Sequence, residues 1–224
     1  VSLGGMVMWP VFMLLTGLTM AMTPIIAQLR GAGQDHQIAH QVRQGLWVCV
    51  STSTLLVLVL MNVATVFDLL DVDSKATQIA EEYLAAAAWG APAVIFYVTL
   101  RYVFEGLGQT RPPMWIAGAM IPINGLLNYV FVYGKFGFPE LGGVGCGYAT
   151  AIIFWLELII MLVVCRMPVF ANLGAFRHFE WPMVQSIKSI LIIGVPIGLA
   201  VFFEMAVFSV VGILIARIGV VEIA

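Results

Sequence analysis

Residues 189–216 read SILIIGVPIGLAVFFEMAVFSVVGILIA, a run of 28 in which Glu204 is the only charge. A hydrocarbon core about 30 Å thick is crossed by roughly 20 helical residues, so this run is long enough to span a bilayer. Its apolar residues are continuous and do not alternate with polar ones, which argues against a barrel strand. A helix satisfies its own backbone hydrogen bonds in lipid. Working back along the chain, the same reading applies to residues 3–29, 45–67, 83–104, 113–133 and 144–165. The expected fold is an all-α polytopic membrane protein with six transmembrane helices.

Composition agrees with that reading. Of 224 residues, 62% are hydrophobic and 10% charged, with a mean hydropathy of +1.03, whereas soluble domains carry about 25% charged residues. Ten Lys and Arg against twelve Asp and Glu give a net charge of -2 and no basic stripe of the kind nucleic acid requires. Cys49, Cys146 and Cys165 lie in apolar stretches without paired spacing, so they read as reduced core residues, not as a disulfide framework or metal site. No cofactor and no obligate protein partner are implied. The sequence opens inside one apolar run and closes after another, without an initiator Met or signal peptide, as expected of an internal piece of a longer membrane protein.

Arg30, Arg43, Arg101, Arg111, Arg166, Arg177 and Lys188 occupy or flank the first, third and fifth connections, against Lys75, Lys135 and Arg217 for the others. This excess places the odd-numbered connections in the cytoplasm. The longest of them, 166–188, gathers Pro168, Asn172, Gly174 and Pro182, the composition of a linker. The expected organisation is a bundle over 1–165, a cytoplasmic linker over 166–188 and the first helix of a second bundle over 189–224.

Glu204 is the most informative polar position. It lies sixteen residues after Lys188 and thirteen before Arg217, roughly 24 Å and 20 Å along a helix, too deep to reach either surface. A carboxyl at that depth should face a bundle interior or a wet cavity, and such groups are functional by default. Gly194 and Gly198 flank Pro196 upstream, a small-xxx-small face suited to close helix approach. Asn124 and Asn128 share one face of the fourth span just after Pro122, where either a polar cavity or interhelical hydrogen bonding accounts for them. Glu157, nearer the cytoplasmic end, reads as structural, as does an Arg101–Glu105 pair at i, i+4. Asp68, Asp71 and Asp73 form the cluster that would support a metal-dependent intramembrane prenyl-transfer enzyme, but no second acidic cluster faces it. His36, His40 and His178 read as surface histidines of the cytoplasmic connections.

Several motifs carry a resemblance: WPVF at 9–12 with MTPIIAQL at 22–29, EGLGQTRP at 105–112, NYVFVYGKFG at 128–137, LGGVGCG at 141–147, and GVPIGL at 194–199 followed by Glu204. Together they resemble the multidrug and toxic compound extrusion (MATE) transporters, most of all the NorM-like branch. Gln109 departs from the basic residue expected there, and Glu157 has no counterpart in the pattern. The resemblance implies twelve helices in two lobes, of which this chain is similar to the second through seventh, and a multi-pass protein of the bacterial inner membrane. It implies efflux of small-molecule drugs or organic cations by antiport against Na⁺ or H⁺, with Glu204 as the cation-coupling carboxyl and the group that would hold Na⁺. Asn124, Asn128 and Thr150 would line the amino-terminal-lobe cavity, and residues 1–224 alone are expected not to transport. The competing transport reading, a flippase for lipid-linked precursors, favours a basic cavity, whereas the deep charges here are acidic.

The charge bias makes an independent prediction. In a Cys-free background, single cysteines at Gln37 should react only from the cytoplasmic side, and those at Thr77 and Phe138 only from outside; labelling at Gln37 from outside intact cells would reverse the topology.

Overall fold

The computed structural model describes residues 2–62 and 74–218. Asp68, Asp71 and Asp73 lie outside the described residues, so the acidic cluster has no structural account. The elements in chain order are α1 (Ser2–Met20), α2 (Met22–Gly31), α3 (Asp35–Met61), α4 (Ser74–Gly106), α5 (Arg111–Tyr133), α6 (Gly142–Val164), α7 (Pro168–Ala171) and α8 (Val184–Ile218). The described residues contain no strand. Six spans in them are long and apolar enough to cross a membrane: Val11–Gly31, Asp35–Met61, Glu81–Gly106, Arg111–Tyr133, Gly142–Val164 and Val184–Phe208.

Several boundaries differ from the sequence reading; the third span, expected from residue 83, lies in a helix that starts at Ser74. The first span is not one helix but two, divided at Ala21. Pro24 has no N–H to offer the carbonyl of Met20, and the helix resumes with Ile25 N–H donating to the Ala21 carbonyl at 3.2 Å. The second span begins at Asp35, ten residues before the expected start, and Asp35 in the first turn complements the helix dipole. The last span begins at Val184, so residues 184–188 of the expected linker are helical. Both extensions are polar turns standing out of the hydrocarbon, where hydropathy carries no signal for a helix.

α4 is the centre of the bundle, with α1, α2, α3 and α6 all packed against it. Its middle is a surface of Ala86, Ala87, Ala88, Gly90 and Ala91, all buried, and small side chains let neighbouring backbones come close. A methyl group built on Gly90 would sit 2.7 Å from Cα of Ala151 on α6. The glycines that open α6 divide between two neighbours: a methyl on Gly147 would lie 2.7 Å from the Tyr83 carbonyl of α4, and one on Gly145 2.8 Å from the Phe131 carbonyl of α5. α6 is thus held between α4 and α5. At the other side of the bundle α8 lies along α1, where Gly194 meets Leu18 and Gly198 meets Gly17 with no room for a β-carbon at either. The small-xxx-small face read from the sequence is a backbone-to-backbone seam.

Gly17→Val should therefore part α1 from α8. Overpacking of this kind costs about 1–3 kcal/mol, and a lowered thermal unfolding midpoint in detergent, together with unchanged stability of Gly31→Ala, whose added methyl meets nothing within 4 Å, is the expected outcome. Equal behaviour of the two variants would show that the seam is not closely packed.

Candidate functional site

Each polar residue singled out in the spans has a defined surrounding. Asn128 donates from Nδ2 to Oδ1 of Asn124 at 2.7 Å on α5. Oδ1 of Asn128 is itself buried and receives no hydrogen bond among the described residues. Because a buried amide oxygen retains the full cost of desolvation when unpaired, this pair is poised to take a donor from outside. Pro122 within the same helix supplies no N–H to the carbonyl of Gly118, nearly two turns before Asn124. Thr150 lies elsewhere. Its hydroxyl donates to the Cys146 carbonyl at 2.8 Å, and its side chain lines a crevice of about 20 Å³ with Phe12, Leu56, Ala87, Ala91 and Phe154. That is room for a single water. The structure brings the two asparagines together but does not place Thr150 in one cavity with them.

Glu204 is exposed on α8 beside exposed Phe203, Val207 and Phe208. At 100° per residue it stands roughly 100° around the helix from the Gly194 and Gly198 face. No hydrogen bond or ion pair to it occurs among the described residues. The carboxyl is therefore turned away from the glycine face that meets α1, and among the described residues it does not face the interior of the bundle as the sequence reading expected. Glu157 on α6 faces α4, within electrostatic range of Arg101 and Tyr97. Arg101 donates from Nε to Glu105 Oε1 at 2.7 Å, the i, i+4 pair read from the sequence.

The densest polar constellation is one that sequence reasoning passed over. His40, Arg43, Gln44 and Trp47 recur at i, i+3, i+4 and i+7, a single face near the start of α3, and all four engage the connection before α8 or its first turn. Glu180 receives Arg43 Nη2 at 2.5 Å on one carboxylate oxygen and contacts His40 Nδ1 at 2.6 Å through the other. His40 Nε2 meets Ser186 Oγ at 2.9 Å. Trp47 Nε1–H donates to the Glu180 carbonyl at 2.9 Å. Gln44 donates to the Trp181 carbonyl at 3.1 Å and accepts from Met183 N–H at 2.7 Å. Trp47 stacks on Trp181 at 6.5 Å between centroids and meets Phe179 edge-on at 6.0 Å. His40 is consequently not a surface histidine of a connection: α3 extends far enough to carry it into an ion pair. The expected linker is docked along this face, and a crevice of about 340 Å³ remains between them, lined by Arg43, Trp47, Phe96, Phe176 and Phe179. The sequence signal available for this cluster was the i, i+3, i+4, i+7 spacing of polar and aromatic residues just before the second apolar run.

Comparison with known proteins places the architecture. A family model described as MatE matches residues 1–130. Over 226 aligned residues the chain is 40% identical to the multidrug resistance protein MdtK of Yersinia pestis (strain Pestoides F) and 38% identical to that of Proteus mirabilis (strain HI4320), each alignment covering 100% of this chain and 50% of the relative. A solved structure described as the inward-facing conformation of a multidrug resistance MATE family transporter of the MOP superfamily superposes with a TM-score of 0.77 at 20% identity, covering 90% of this chain and 45% of that one. The chain spans about half the length of the curated relatives it matches.

The docking of the connection should be insensitive to mild acid. The Arg43 guanidinium, and with it His40, holds the Glu180 carboxyl below its ordinary value of 4.5. A depressed carboxylate contributes stability above the unfolded value and loses it only as pH falls through the lower folded value. Amide exchange in residues 174–183, corrected for intrinsic rates, should keep the same protection from pH 8 to pH 5. Loss of protection by pH 5 would show that Glu180 does not hold the connection.

Proposed function

The chain belongs to the MatE family, the multidrug and toxic compound extrusion transporters, and from that premise we propose that it forms half of a drug antiporter of the bacterial inner membrane. In this reading residues 1–165 belong to the amino-terminal lobe, 166–188 are the inter-lobe connection and 189–224 open the carboxy-terminal lobe. Small-molecule drugs or organic cations leave the cell against an inward flow of Na⁺ or H⁺, and the two lobes alternate access to a cavity between them.

The observation that carries the reading is Glu204, one carboxyl in a 28-residue apolar run, exposed on α8 and turned away from the α1–α8 seam. A carboxylate in that position is neutralised by a proton, by Na⁺ or by an organic cation, and occupancy by one excludes the others. Mutual exclusion at a single group is sufficient to exchange one cation for another. The Asn124–Asn128 pair, with its unpaired acceptor, supplies a neutral polar surface in the other lobe for substrates that carry donors. Thr150 adds to that surface in this reading, if its crevice opens to the cavity as the lobes move. Twelve Met in the chain give walls that repack around substrates of different shape.

The test is efflux from proteoliposomes containing the full-length protein, under an imposed Na⁺ or proton gradient. Glu204→Gln keeps shape and hydrogen bonding but cannot titrate, and gradient-driven efflux of ethidium or norfloxacin should fall at least tenfold, on the scale of losing one charge-assisted interaction. Glu204→Asp should retain part of the activity, and Glu157→Gln most of it. Full coupled efflux in Glu204→Gln would remove this residue from the mechanism.

A further inference from the structure

We propose that Glu180 is a positioning residue for transport: by clasping His40 and Arg43 it holds the cytoplasmic end of α8 against α3, and this clasp is the latch that releases when the cavity opens toward the cytoplasm. The proposal rests on the two-lobe reading above, in which α3 and α8 belong to different lobes.

Among the described residues α8 is held chiefly by α1 along the span and by α3 at its start, and the two contacts differ in kind. The seam with α1 is apolar and made of backbone at Gly17, Gly194 and Gly198. Without interlocking side chains, such a contact lets one helix tilt on the other. The clasp is polar and directional. It acts immediately before α8 and on its first turn, through Met183 N–H to Gln44 at 2.7 Å and Ser186 Oγ to His40 at 2.9 Å. Three side chains of α3 converge on Glu180 alone: two on its carboxylate and Trp47 on its carbonyl. Arg43 reaches further to the carbonyls of Gly174 and Ala175, both at 3.3 Å. A pivot of glycine backbone in the span and a set of charged hydrogen bonds at one end are the parts a rocking helix needs.

The exposure of the clasp fits a contact that opens and closes. The side chains of Glu180 and His40 are 32% and 28% exposed, and that of Arg43 is 13% exposed. A fully buried pair would be costly to separate, whereas groups already at the water boundary are rehydrated as they part. The remaining charges nearby, Asp35 and His36 on α3, Arg177 and His178 on the connection and Lys188 on α8, are exposed and can stay hydrated in either state. Arg43 Nε, buried without a partner, shows that the closed clasp leaves one donor unused and so is not a contact of maximal strength.

The experiment places spin labels at Gln37 on α3 and Lys188 on α8, in a Cys-free full-length protein reconstituted into nanodiscs, and reads the distance distribution beside efflux from proteoliposomes. Glu180→Ala should lengthen and broaden the distribution, raising the open fraction roughly tenfold, the scale of one charge-assisted hydrogen bond. Glu180→Asp should fall between it and the parent, and Arg43→Gln should have a smaller effect on top of Glu180→Ala than in the parent, because the carboxylate is one partner of Arg43 and the Gly174 and Ala175 carbonyls are the others. Should Glu180→Ala fail to fold, Trp47→Phe leaves the Glu180 carboxylate in place but removes the indole N–H and part of the stacking on Trp181, and must shift the distribution in the same direction by less. An unchanged distribution in the folded variant overturns the latch, whatever happens to efflux. If the parent shows no gradient-driven efflux yet the distances shift as stated, the latch stands and the antiport reading fails; if Glu204→Gln abolishes efflux while Glu180→Ala alters neither readout, the antiport reading stands and the latch fails.

Discussion

Helices in hydrocarbon gain nothing from hiding apolar side chains from one another, since lipid is as apolar as they are. What holds this bundle together is the distance to which backbones can approach. The alanine and glycine surface on α4 and the glycines of α6, α1 and α8 occupy the places where a larger residue would push two axes apart. Dispersion and weak carbonyl contacts fall off steeply with separation, so the small residues set the strength of the whole arrangement. The motif GGVGCG has this physical content: its glycines alternate because α6 has a neighbour on two sides.

Polarity within the spans follows a second rule. Most hydroxyls are neutralised by their own helix, as Thr16 is by the Phe12 carbonyl, Thr52 by that of Val48 and Thr99 by that of Ile95. These groups are occupied and offer little to a ligand. Asn128 Oδ1 and the Tyr97 hydroxyl, both buried without a partner among the described residues, are different, and so is Glu204 with its exposed carboxyl. Among the described residues of the spans, these are the groups that their own helices leave unsatisfied.

The spans were legible in the sequence because a bilayer imposes a length on apolar runs, and the Gly194 and Gly198 seam because spacing alone puts both on one face. The start of α3 at Asp35 was not legible: beyond the hydrocarbon, a polar helix and a polar loop have the same composition. Glu204 was singled out by its depth, which sequence measures directly, but the sequence did not show that it would be exposed on α8 beside Phe203, Val207 and Phe208. The clasp was hidden for another reason. His40 and Glu180 are 140 residues apart, and no local pattern around Glu180 shows which helix it will meet. Thr150 was grouped with the asparagines by resemblance, and the geometry that separates them is a matter of helix rotation, which motifs do not encode.

The division of the first span at Ala21 has a mechanical consequence. α2 is keyed to α4 by the Thr23 hydroxyl on the Tyr102 carbonyl at 3.1 Å and by Gly106, where a methyl would lie 2.8 Å from the Thr23 carbonyl. α1 also packs on α4, but its most extensive contact is with α8. A continuous helix would transmit any bending moment along its length, but a missing hydrogen bond beside Pro24 concentrates compliance at one residue. The portion along α8 can then deflect while α2 keeps its register on α4, so strain generated at the seam is taken up in part at Ala21 before it reaches α2.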